Sequence, residues 1–576
     1  MEPVTERRWR QRGTEADAPS LTRLCRDLGV GPLTARVLHG RGFTDGDSAR
    51  AFLAAGLRDL PDPTALGGMA TAVARLVRAI CGGERILVHG DYDVDGITGT
   101  ALLVENLRSF GAEVLSHIPL RLRDGYGLSA AALKEAAAQG VTVVLSVDCG
   151  VSAVTEARIA RELGLDLIIT DHHQPPDPLP VAHAIVNPQL PGETFPGQQL
   201  AGVGVAFFLL VALRQALREM GHFSIRPEPD LRYGLDLVAL GTIADLVPLT
   251  GINRILVRAG LPLLEQNRRP GVRDLREVAG VRRVTAGSVG FQLAPRLNAA
   301  GRLEDAGRGV DLLLDREGRE TKALASQLDR FNQERRRLEE ETLQQAIAAL
   351  ESVADQADQS IVLADERWHP GVIGIVASRL VERYHRPTVL IALEGEQGKG
   401  SARSIRGFHL YQALAACREH LEGFGGHEFA AGLSLAGSSL ELFRRAFEAQ
   451  ARQRLVAENL IPEVLFDGEL LLAELDAAAV EDLERLAPFG MGNAEPAFVL
   501  RDISARQVRL LGEEHLRFTA QQDGYSLPCV AWRLAGQRQL LDAPVDLLVH
   551  PEFNEWQGRR QLQLRVRDVR PALGTD

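Results

Sequence analysis

The chain has 576 residues, which is too long for one hydrophobic core, because single cores stop growing at about 250–300 residues. Its composition, 45% hydrophobic and 24% charged, is typical of a globular protein and excludes a mostly disordered chain. The net charge of −11 excludes a protein that is basic over its whole surface, but it does not exclude a local basic groove.

Nothing in the sequence predicts a membrane protein or an exported one. The longest apolar run, residues 200–213, is interrupted by glycines and is shorter than the ~18–20 residues that a spanning helix needs. The first twelve residues carry acids and arginines and no apolar leader segment. The five cysteines form no CxxC pair, which is typical of free thiols in a reducing compartment. We therefore expect a cytoplasmic protein without a membrane partner.

Taken in chain order, the sequence predicts several domains. Residues 20–60 have the pattern of short helices joined by glycine turns. From residue 84, apolar runs typical of buried strands alternate with helical stretches, which predicts a parallel sheet, and the apolar run at 235–245 is assigned to the same set of strands. Residues 319–352 contain neither glycine nor proline and predict one long helix. A second α/β segment begins near residue 360, and short strand-like runs after residue 465 predict a small β-barrel.

The predicted fold class is therefore α/β, with a parallel-sheet domain, a long connector helix, a second α/β domain and a C-terminal barrel. The expected boundaries, in chain order, are a helical N-terminal region at 1–62, the parallel-sheet domain at 63–318, the connector at 319–355, the second α/β domain at 356–456 and the barrel at 457–576.

The densest chemistry lies where the predicted strands of the first α/β domain end. One strand end carries four polar side chains at alternate positions: His89, Asp91, Asp93 and Asp95. Three further predicted strands also end in acids: Asp148; Asp171, followed by His172 and His173; and Asp245. Alternate positions point to one side of an extended chain, and ligands bind beyond the carboxyl ends of parallel strands. We therefore expect these side chains to converge on one edge of the sheet.

So many carboxylates in one crevice repel one another unless cations neutralise them. Carboxylate oxygens with a few imidazoles suit Mn²⁺ or Mg²⁺, and a pair of such ions is the usual device for phosphoester hydrolysis. A lone aspartate at a strand end more often caps the next helix. The joint occurrence of four such strand ends favours a metal centre over that alternative.

The same segments carry a family resemblance. Four motifs resemble those of the DHH phosphoesterase superfamily: HGDYDVDG (89–96), SVDCG (146–150), TDHH (170–173) and GTIAD (241–245). Five later segments are similar, in order, to the RecJ exonucleases within it: FQLAPRLNAAGR (291–302), WHPGVIGIVASRL (368–380), GSARSIRGFHL (400–410), GGHEFAAG (425–432) and PFGMGNAEP (488–496). The resemblance runs from about residue 84 to about residue 570, and its final part implies that the barrel is an OB domain.

The resemblance implies two ions, Mn²⁺ or Mg²⁺, and a role for each matching residue. One ion would be held by His89, Asp93 and Asp148. The second would be held by Asp95, Asp148, His172 and Asp245, so that Asp148 bridges both. Asp91 and Asp171 would orient the ligands, and His173 would contact the scissile phosphate.

Positive charge gathers in three places. Residues 279–302 hold four arginines and no acid, and the resemblance selects as nucleic-acid contacts Arg296, Asn298 and Arg302. The segment GKGSARSIRG (398–407) lacks the glycine spacing of an ATP-binding loop, and the resemblance instead assigns phosphate contacts to Ser401, Arg403 and His427.

The third basic segment lies in the barrel, where five arginines between residues 559 and 570 face one acid, Asp568. Arginines near aromatic residues suit single-strand binding by charge and stacking, with the predicted contacts Trp556, Arg559 and Arg560. For the first and third segments, a solvated arginine face remains the alternative on charge alone.

The predicted function is a single-stranded-DNA-specific exonuclease that hydrolyses phosphodiesters from the 5′ end to 5′-mononucleotides by a two-metal mechanism, in recombination and repair. Two alternatives stay open: a DHH phosphodiesterase for oligoribonucleotides or cyclic dinucleotides, and a non-catalytic replication scaffold of the same fold. The barrel weighs against the first, because short substrates need no tracking groove, and the intact acids weigh against the second. The implied partner is single-stranded DNA, with a single-strand-binding protein and a helicase as candidates, and a monomer is expected.

Overall fold

The computed structural model describes residues 6–13, 17–120, 127–352, 358–556 and 558–572. The chain divides into two compact units. The larger unit comprises residues 10–298, 306–325 and 465–576, and the smaller unit comprises residues 299–305 and 326–464 together with the first nine residues. The boundary that the sequence predicts between residues 355 and 356 lies outside the described residues.

The N-terminal region forms short helices, as its glycine turns predict. After a short strand, β1 (Arg8–Gln11), four helices follow: α1 (Ala18–Leu28), α2 (Pro32–Gly40), α3 (Gly46–Ala54) and α4 (Met69–Gly82). Asp17 caps α1 by accepting the backbone N–H of Ser20 at 2.7 Å. Gly29 ends α1 in a left-handed conformation, which glycine adopts at no steric cost. Local turn chemistry therefore fixes these boundaries.

A five-stranded parallel sheet forms the centre of the larger unit, in the order β3-β2-β4-β5-β6. Its strands are β2 (Arg85–Gly90), β3 (Glu113–His117), β4 (Val141–Val147), β5 (Asp166–Thr170) and β6 (Ala184–Val186). The crossover helices are α5 (Val94–Phe110), α6 (Ala130–Ala138) and α7 (Val154–Glu162). β2, β4 and β5 are buried along most of their length, so their carboxyl ends open onto one protected edge.

The prediction of a strand at 235–245 is wrong, because these residues form a helix, α9 (Leu235–Ala244). The first nine residues of α9 are all buried, so the helix has no solvent-facing polar side. A short apolar run of this kind cannot be distinguished from a buried strand by periodicity. Asp245 nevertheless follows the last residue of the element and stays available to the same edge of the sheet.

Further helices of the larger unit pack around α5 and α9. They are α8 (Gly202–Glu219), α10 (Gly251–Glu265), α11 (Pro270–Ala279) and α13 (Gly307–Leu314). A π-helical turn, Val289–Leu293, leads into α12 (Ala294–Leu303). The long helix that the sequence predicts is confirmed as α14 (Thr321–Ser352), 32 residues in length.

The smaller unit contains a mixed five-stranded sheet in the order β10-β11-β9-β8-β7. Its strands are β7 (Ile361–Asp365), β8 (Thr388–Glu394), β9 (Gln397–Arg403), β10 (Gly423–Gly426) and β11 (Ala430–Ala436). Only β7 and β8 run parallel; the other neighbouring pairs are antiparallel. The helices of this unit are α15 (Ile373–Tyr384), α16 (Leu410–Ala416) and α17 (Leu440–Arg454).

The C-terminal strands confirm the predicted barrel. β12 (Glu463–Phe466) pairs with β1, and β13 (Gly468–Leu470) and helix α18 (Ala477–Leu483) precede the barrel. The barrel strands are β14 (Phe498–Leu511), β15 (His515–Gln522), β16 (Tyr525–Ala531), β17 (Val545–Trp556) and β18 (Arg559–Pro571). Pairing of β14 with β17 closes these five strands. Within the described ranges, no single helix has the length and apolar character to cross a membrane, although the bent pair Leu57–Ala65 and Met69–Gly82 passes that test when taken together.

Candidate functional site

The first part of the site is the turn between β2 and α5. Asp93 is the N-cap of α5, since its Oδ1 accepts the backbone N–H groups of Asp95 at 2.9 Å and of Gly96 at 3.2 Å. Gly96 must be glycine, because a Cβ there would lie 2.4 Å from the backbone oxygen of Asp91. The capping role that a lone aspartate suggests is therefore real for Asp93, and it fixes the whole acidic turn in place.

Asp95 is buried and is held by the N-terminus of α8. Its two carboxylate oxygens accept the backbone N–H groups of Gly202 at 2.6 Å and of Val203 at 2.8 Å. The partial positive charge of a helix N-terminus stabilises a carboxylate in this position. Sequence reasoning missed this contact. Its only signal is the pair of glycines at the start of an apolar helix, which permits close approach.

Asp148 follows β4 with a left-handed backbone, φ 62°. Few residues other than glycine adopt this conformation, although aspartate tolerates it better than most. Gly202 packs directly against it, because a Cβ at that glycine would lie 2.7 Å from the Cβ of Asp148. The carboxylate is 1% exposed and is confined to one position by this packing.

Asp171, His172 and His173 form the third part of the site. Asp171 is buried, and its Oδ2 accepts the backbone N–H of Val151 at 2.9 Å. Its Oδ1 lies 2.7 Å from Nδ1 of His173 and orients that imidazole. Burial alone would lower the pKa of His173, but the contact with Asp171 outweighs burial and raises this pKa to about 9. His173 is therefore a protonated, partly exposed imidazolium at neutral pH in the cation-free protein.

The predicted ligands meet as one cluster of carboxylates and imidazoles. Nε2 of His172 lies 3.0 Å from Asp148, 3.7 Å from Asp245 and 3.8 Å from Asp95. Three sets of side chains could each hold a metal ion, because the ligand atoms within each set lie within 4.8 Å of one another. The sets are Asp148, His172 and His173; Asp95, His172 and Asp245; and Asp91, Asp93 and Asp148. The four motifs thus converge, as their positions at the ends of buried elements predict.

The electrostatics of this cluster fit a cation. Burial, followed by the neighbouring carboxylates, raises the pKa of Asp95 to about 7 and that of Asp245 to about 9, and raises the pKa of Asp148 well above its usual value. Among the described residues, Nε2 of His172 and Oδ2 of Asp245 are buried and make no hydrogen bond. Buried polar atoms without such a bond are costly, and a divalent cation with hard oxygen and imidazole ligands would satisfy them.

His89 occupies a different position from the other predicted ligands. It is fully buried on β2, with its ring centroid 5.0 Å from that of His117. Burial and the nearby His117 lower its pKa to about 3, so it is a neutral imidazole. His89 is in none of the three sets of ligand atoms, whereas Asp91, predicted only to orient ligands, is in one of them. Its role as a ligand stays a prediction.

The smaller unit brings its three predicted phosphate contacts together. Ser401 and Arg403 lie on β9, where Nη1 of Arg403 donates to Ser401 Oγ at 3.2 Å and to the carbonyl oxygen of Ala402 at 2.8 Å. Ala430 is paired with Arg403 across the sheet, and its carbonyl oxygen accepts the backbone N–H of His427 at 2.8 Å. The exposed His427 therefore belongs to the turn beside Arg403.

The arginine segment at 291–302 is divided between the two units. In the larger unit, Oδ1 of Asn298 accepts the backbone N–H of Val94 at 3.0 Å, which ties α12 to the acidic turn. Arg296 is 9% exposed and donates to the carbonyl oxygen of Gln292 at 2.6 Å. In the smaller unit, Arg302 donates to the carbonyl oxygen of Gly371 at 3.2 Å. The side chains of Arg296, Asn298 and Arg302 thus support local structure as well.

The basic segment of the barrel carries less unpaired positive charge than its local sequence predicts. Arg560 pairs with Glu481 at 2.9 Å and Glu484 at 3.1 Å, and its guanidinium carbon lies 3.7 Å above the ring of Phe553. Arg565 pairs with Glu495 and Glu552. The apparent excess of arginine over acid is therefore partly neutralised by residues distant in sequence. Arg559 is exposed, and the side chain of Trp556 lies outside the described residues.

Comparison with known proteins gives three domain matches in order along the chain. Residues 85–242 match the DHH family, N-terminal domain; residues 357–453 match the DHHA1 domain; and residues 466–568 match the RecJ OB domain. The first of these contains every cluster residue except Asp245, and the second contains the three predicted phosphate contacts of the smaller unit.

Whole-chain relatives agree with these domain matches. A curated protein of Bacillus subtilis, single-stranded-DNA-specific exonuclease RecJ, is 38% identical, and the alignment covers 98% of this chain and 71% of the relative. A crystal structure of RecJ in complex with Mn²⁺ from Thermus thermophilus is 34% identical with a TM-score of 0.83, covering 98% of this chain and 80% of that one. A crystal structure of the same protein in complex with Mg²⁺ is 33% identical with a TM-score of 0.78, covering 98% and 79%.

Proposed function

The chain belongs to the RecJ family, and from this premise we propose that it is a metal-dependent exonuclease specific for single-stranded DNA. It removes 5′-mononucleotides from the 5′ end, in DNA recombination and repair. The observation that carries the proposal is the buried cluster of carboxylates and His172, whose ligand atoms lie within 4.8 Å of one another in each set and whose carboxylates repel one another unless a cation neutralises them.

Two divalent cations, Mn²⁺ or Mg²⁺, are the proposed cofactors. We assign the first to His89, Asp93 and Asp148, and the second to Asp95, Asp148, His172 and Asp245. When bound, such a pair supplies Lewis-acid activation of water and neutralises charge on the transferring phosphate. Asp91 is the alternative partner of Asp93 and Asp148, because its carboxylate lies within 4.8 Å of theirs.

The protein's own groups position the substrate around this centre. Asp171 holds His173 through the 2.7 Å contact between Oδ1 and Nδ1, and the side chain of His173 is 37% exposed. An imidazole held in this way through Nδ1 has its other ring nitrogen, Nε2, available to donate a hydrogen bond to a phosphate oxygen. We therefore assign His173 to the scissile phosphate, with Asp171 as the group that orients it.

In the smaller unit, we assign phosphate contacts to Ser401, Arg403 and His427. Arg403 offers a planar guanidinium, which suits phosphate better than a point charge does. In the larger unit, Arg296 and Asn298 lie on the helix that contacts the acidic turn, and Arg302 follows in the smaller unit. These three, together with Trp556, Arg559 and Arg560 of the barrel, are the proposed contacts along the strand.

The proposed setting is the cytoplasm, and the proposed state is a monomer. A single-strand-binding protein and a helicase are the candidate partners, because both supply or expose single strands. The barrel is the part of the chain expected to bind a strand many nucleotides long, since OB folds track single strands through charge and stacking.

A substrate panel tests this function. The purified chain with Mn²⁺ is offered 5′-labelled single-stranded DNA, the same sequence as a blunt duplex, and a cyclic dinucleotide. We expect mononucleotide release from the single strand, little release from the duplex and none from the cyclic dinucleotide. Preferential hydrolysis of the cyclic dinucleotide would identify a small-substrate phosphodiesterase, and no hydrolysis of any substrate would identify a scaffold.

A further inference from the structure

The N-terminal helices α1–α3, residues 18–54, have no role in the chemistry described so far. They share one hydrophobic core with the barrel, although the two segments lie more than 400 residues apart in sequence. Leu24, Leu38 and Leu53 of these helices belong to the same buried cluster as barrel residues such as Phe498 and Leu547. The helices are therefore docked on the barrel by apolar burial.

A polar contact fixes the turn between α1 and α2 to the barrel's own helix. The backbone N–H of Gly31, the N-cap of α2, donates to Oδ2 of Asp482 at 2.6 Å. Arg485 donates to the carbonyl oxygen of Gly29 at 2.7 Å and pairs with Asp482 at 2.8 Å. Helix α2 has no capping side chain of its own, so Asp482 supplies the anion that a helix N-terminus favours.

A second contact joins the end of α2 to the segment that enters the barrel. Nε of Arg41 lies 3.1 Å from Oδ1 of Asp467, and Nη1 donates to Oδ1 of Asn493 at 2.7 Å. Asn493 is buried and donates in turn to the carbonyl oxygens of Leu486 at 2.9 Å and Pro488 at 2.8 Å. The backbone at 486–493 is thus held by a side chain of the N-terminal region.

The parallel-sheet domain enters the same junction through Arg254 on α10. This arginine is 3% exposed, and it donates to the carbonyl oxygens of Phe52 and Leu486, each at 2.8 Å. Its guanidinium carbon lies 3.9 Å above the ring of Phe52. A buried charge held by carbonyl oxygens and a ring face is costly unless every contact is kept, so the three elements are fixed together.

The junction lies close in sequence to the metal cluster. The backbone N–H of Leu249 donates to the carbonyl oxygen of Met491 at 2.7 Å. A Cβ at Gly492 would lie 2.9 Å from Cβ of Pro248, so the two backbones are in close contact. Leu249 is only four residues beyond Asp245. The segment before the barrel is therefore fixed directly to the loop that follows a proposed metal ligand.

We propose that helices α1–α3 are an intramolecular clamp that holds the barrel at a fixed position on the parallel-sheet domain, and that Arg254 is the positioning residue at its centre. The inference rests on the proposed function, because it assigns a consequence for the substrate. A long strand bound on a fixed barrel meets the metal cluster at high effective concentration, whereas a dinucleotide contacts only the cluster. A loosened barrel should therefore raise the KM for the long strand and leave hydrolysis of the dinucleotide unchanged.

Arg254→Met tests the clamp, since it keeps the length of the side chain but removes its hydrogen bonds and charge. We expect the KM for a single strand of about 60 nucleotides to rise about tenfold with kcat little changed, because loss of a fixed geometry lowers effective concentration. The kcat/KM for a 5′-phosphorylated dinucleotide should stay within about twofold of wild type. Arg254→Lys should restore part of the long-strand affinity. A loss of equal size on both substrates, or no loss on either, overturns the proposal.

The matched control is Arg214→Met. Arg214 is a partly buried arginine on α8 that donates to the carbonyl oxygen of Pro229 at 3.2 Å and has no described contact with the barrel. Arg214→Met should change kcat/KM by the same factor for the long strand and for the dinucleotide. Asp482→Ala, at the barrel end of the clamp, is the second variant should Arg254→Met fail to fold, and the same split between substrates is expected.

Hydrogen exchange tests the clamp without any activity. In Arg254→Met, the amides of α1–α3 should exchange about tenfold faster, while those of β2 and β4 keep wild-type protection. Unchanged protection of α1–α3 overturns the clamp. A wild-type chain that hydrolyses neither substrate refutes the proposed function instead, so the two failures are distinguishable.

Discussion

Asp148→Ala removes the carboxylate that belongs to two of the three sets of ligand atoms in the cluster. The side chain is 2% exposed, and its Oδ1 lies 3.0 Å from Nε2 of His172. Among the proposed ligands it alone serves both cations. We therefore expect this single substitution to abolish hydrolysis while the fold survives.

The magnitude follows from the contacts. Removing one preorganised electrostatic contact from a reacting centre costs about 2.7–4 kcal/mol. Loss of a ligand to each of two cations then costs about 5–8 kcal/mol, or a rate loss of about ten thousandfold or more. Stability should change much less. Alanine at φ 62° adds about 1–2 kcal/mol of backbone strain, but the substitution also removes the cost of burying this carboxyl, whose pKa is raised first by burial and then by the neighbouring carboxylates.

The assay measures mononucleotide release from a labelled single strand with Mn²⁺, together with thermal unfolding in a chelator. The matched control is Asp166→Ala, at the opposite end of β5, where the carboxylate pairs with Arg75 away from the cluster. The control should keep wild-type turnover. If Asp148→Ala retained a tenth of the wild-type rate, the assignment of a bridging ligand would be wrong.

Three further outcomes are expected. Arg403→Ala should lose one charge-assisted phosphate contact, about 1.5–3 kcal/mol, and so lower kcat/KM about ten- to hundredfold; a parallel loss in calorimetric Mn²⁺ affinity would mean that Arg403 supports the fold instead. A fragment of residues 63–456, which lacks the barrel and the helices docked on it, should still cleave very short oligonucleotides but bind a long strand weakly, and equal long-strand affinity in a gel-shift assay would contradict the tracking role. Because the pKa of Asp95 is raised to about 7 and that of Asp245 to about 9, protonation stabilises the cation-free protein fully below the usual carboxyl pKa of about 3.9, and this contribution is lost as pH rises from there to the two raised values, while Mn²⁺ affinity grows. The increase in Tm on adding Mn²⁺ should therefore be larger near pH 9 than near pH 6, and equal increases would count against the cluster as the binding site.

Sequence analysis predicts those parts of the site whose functional side chains are close together in one short segment of the chain. His172 and His173 follow a buried strand, and Asp93 and Asp95 follow another, so their convergence depends only on the parallel sheet. Asp245 was correctly placed at the same edge, although its element is a helix. The location of Asp245 thus follows from its position at the end of a buried apolar segment, whether that segment is a strand or a helix.

What sequence analysis missed depends on contacts between distant segments. The amides of Gly202 and Val203 that hold Asp95 belong to a helix more than 100 residues away. Arg560 looks like an unpaired cation in the segment 559–570, but two of the acids that pair with it, Glu481 and Glu484, lie about 80 residues earlier. The proposed role of the N-terminal region depends on Arg254, which donates hydrogen bonds to two residues far apart in sequence, Phe52 and Leu486. Periodicity and local charge carry no information on such pairings.

The most direct test of the account is a single-turnover reaction with one strand labelled at its 5′ end and, separately, at its 3′ end. With Mn²⁺, the account predicts that the 5′ label appears first as a mononucleotide, while the 3′ label remains on strands that shorten one nucleotide at a time. A chelator should stop both, and Asp148→Ala should show neither. Mononucleotides released first from the 3′ label, or internal fragments from either strand, would contradict a 5′ exonuclease built on this cluster.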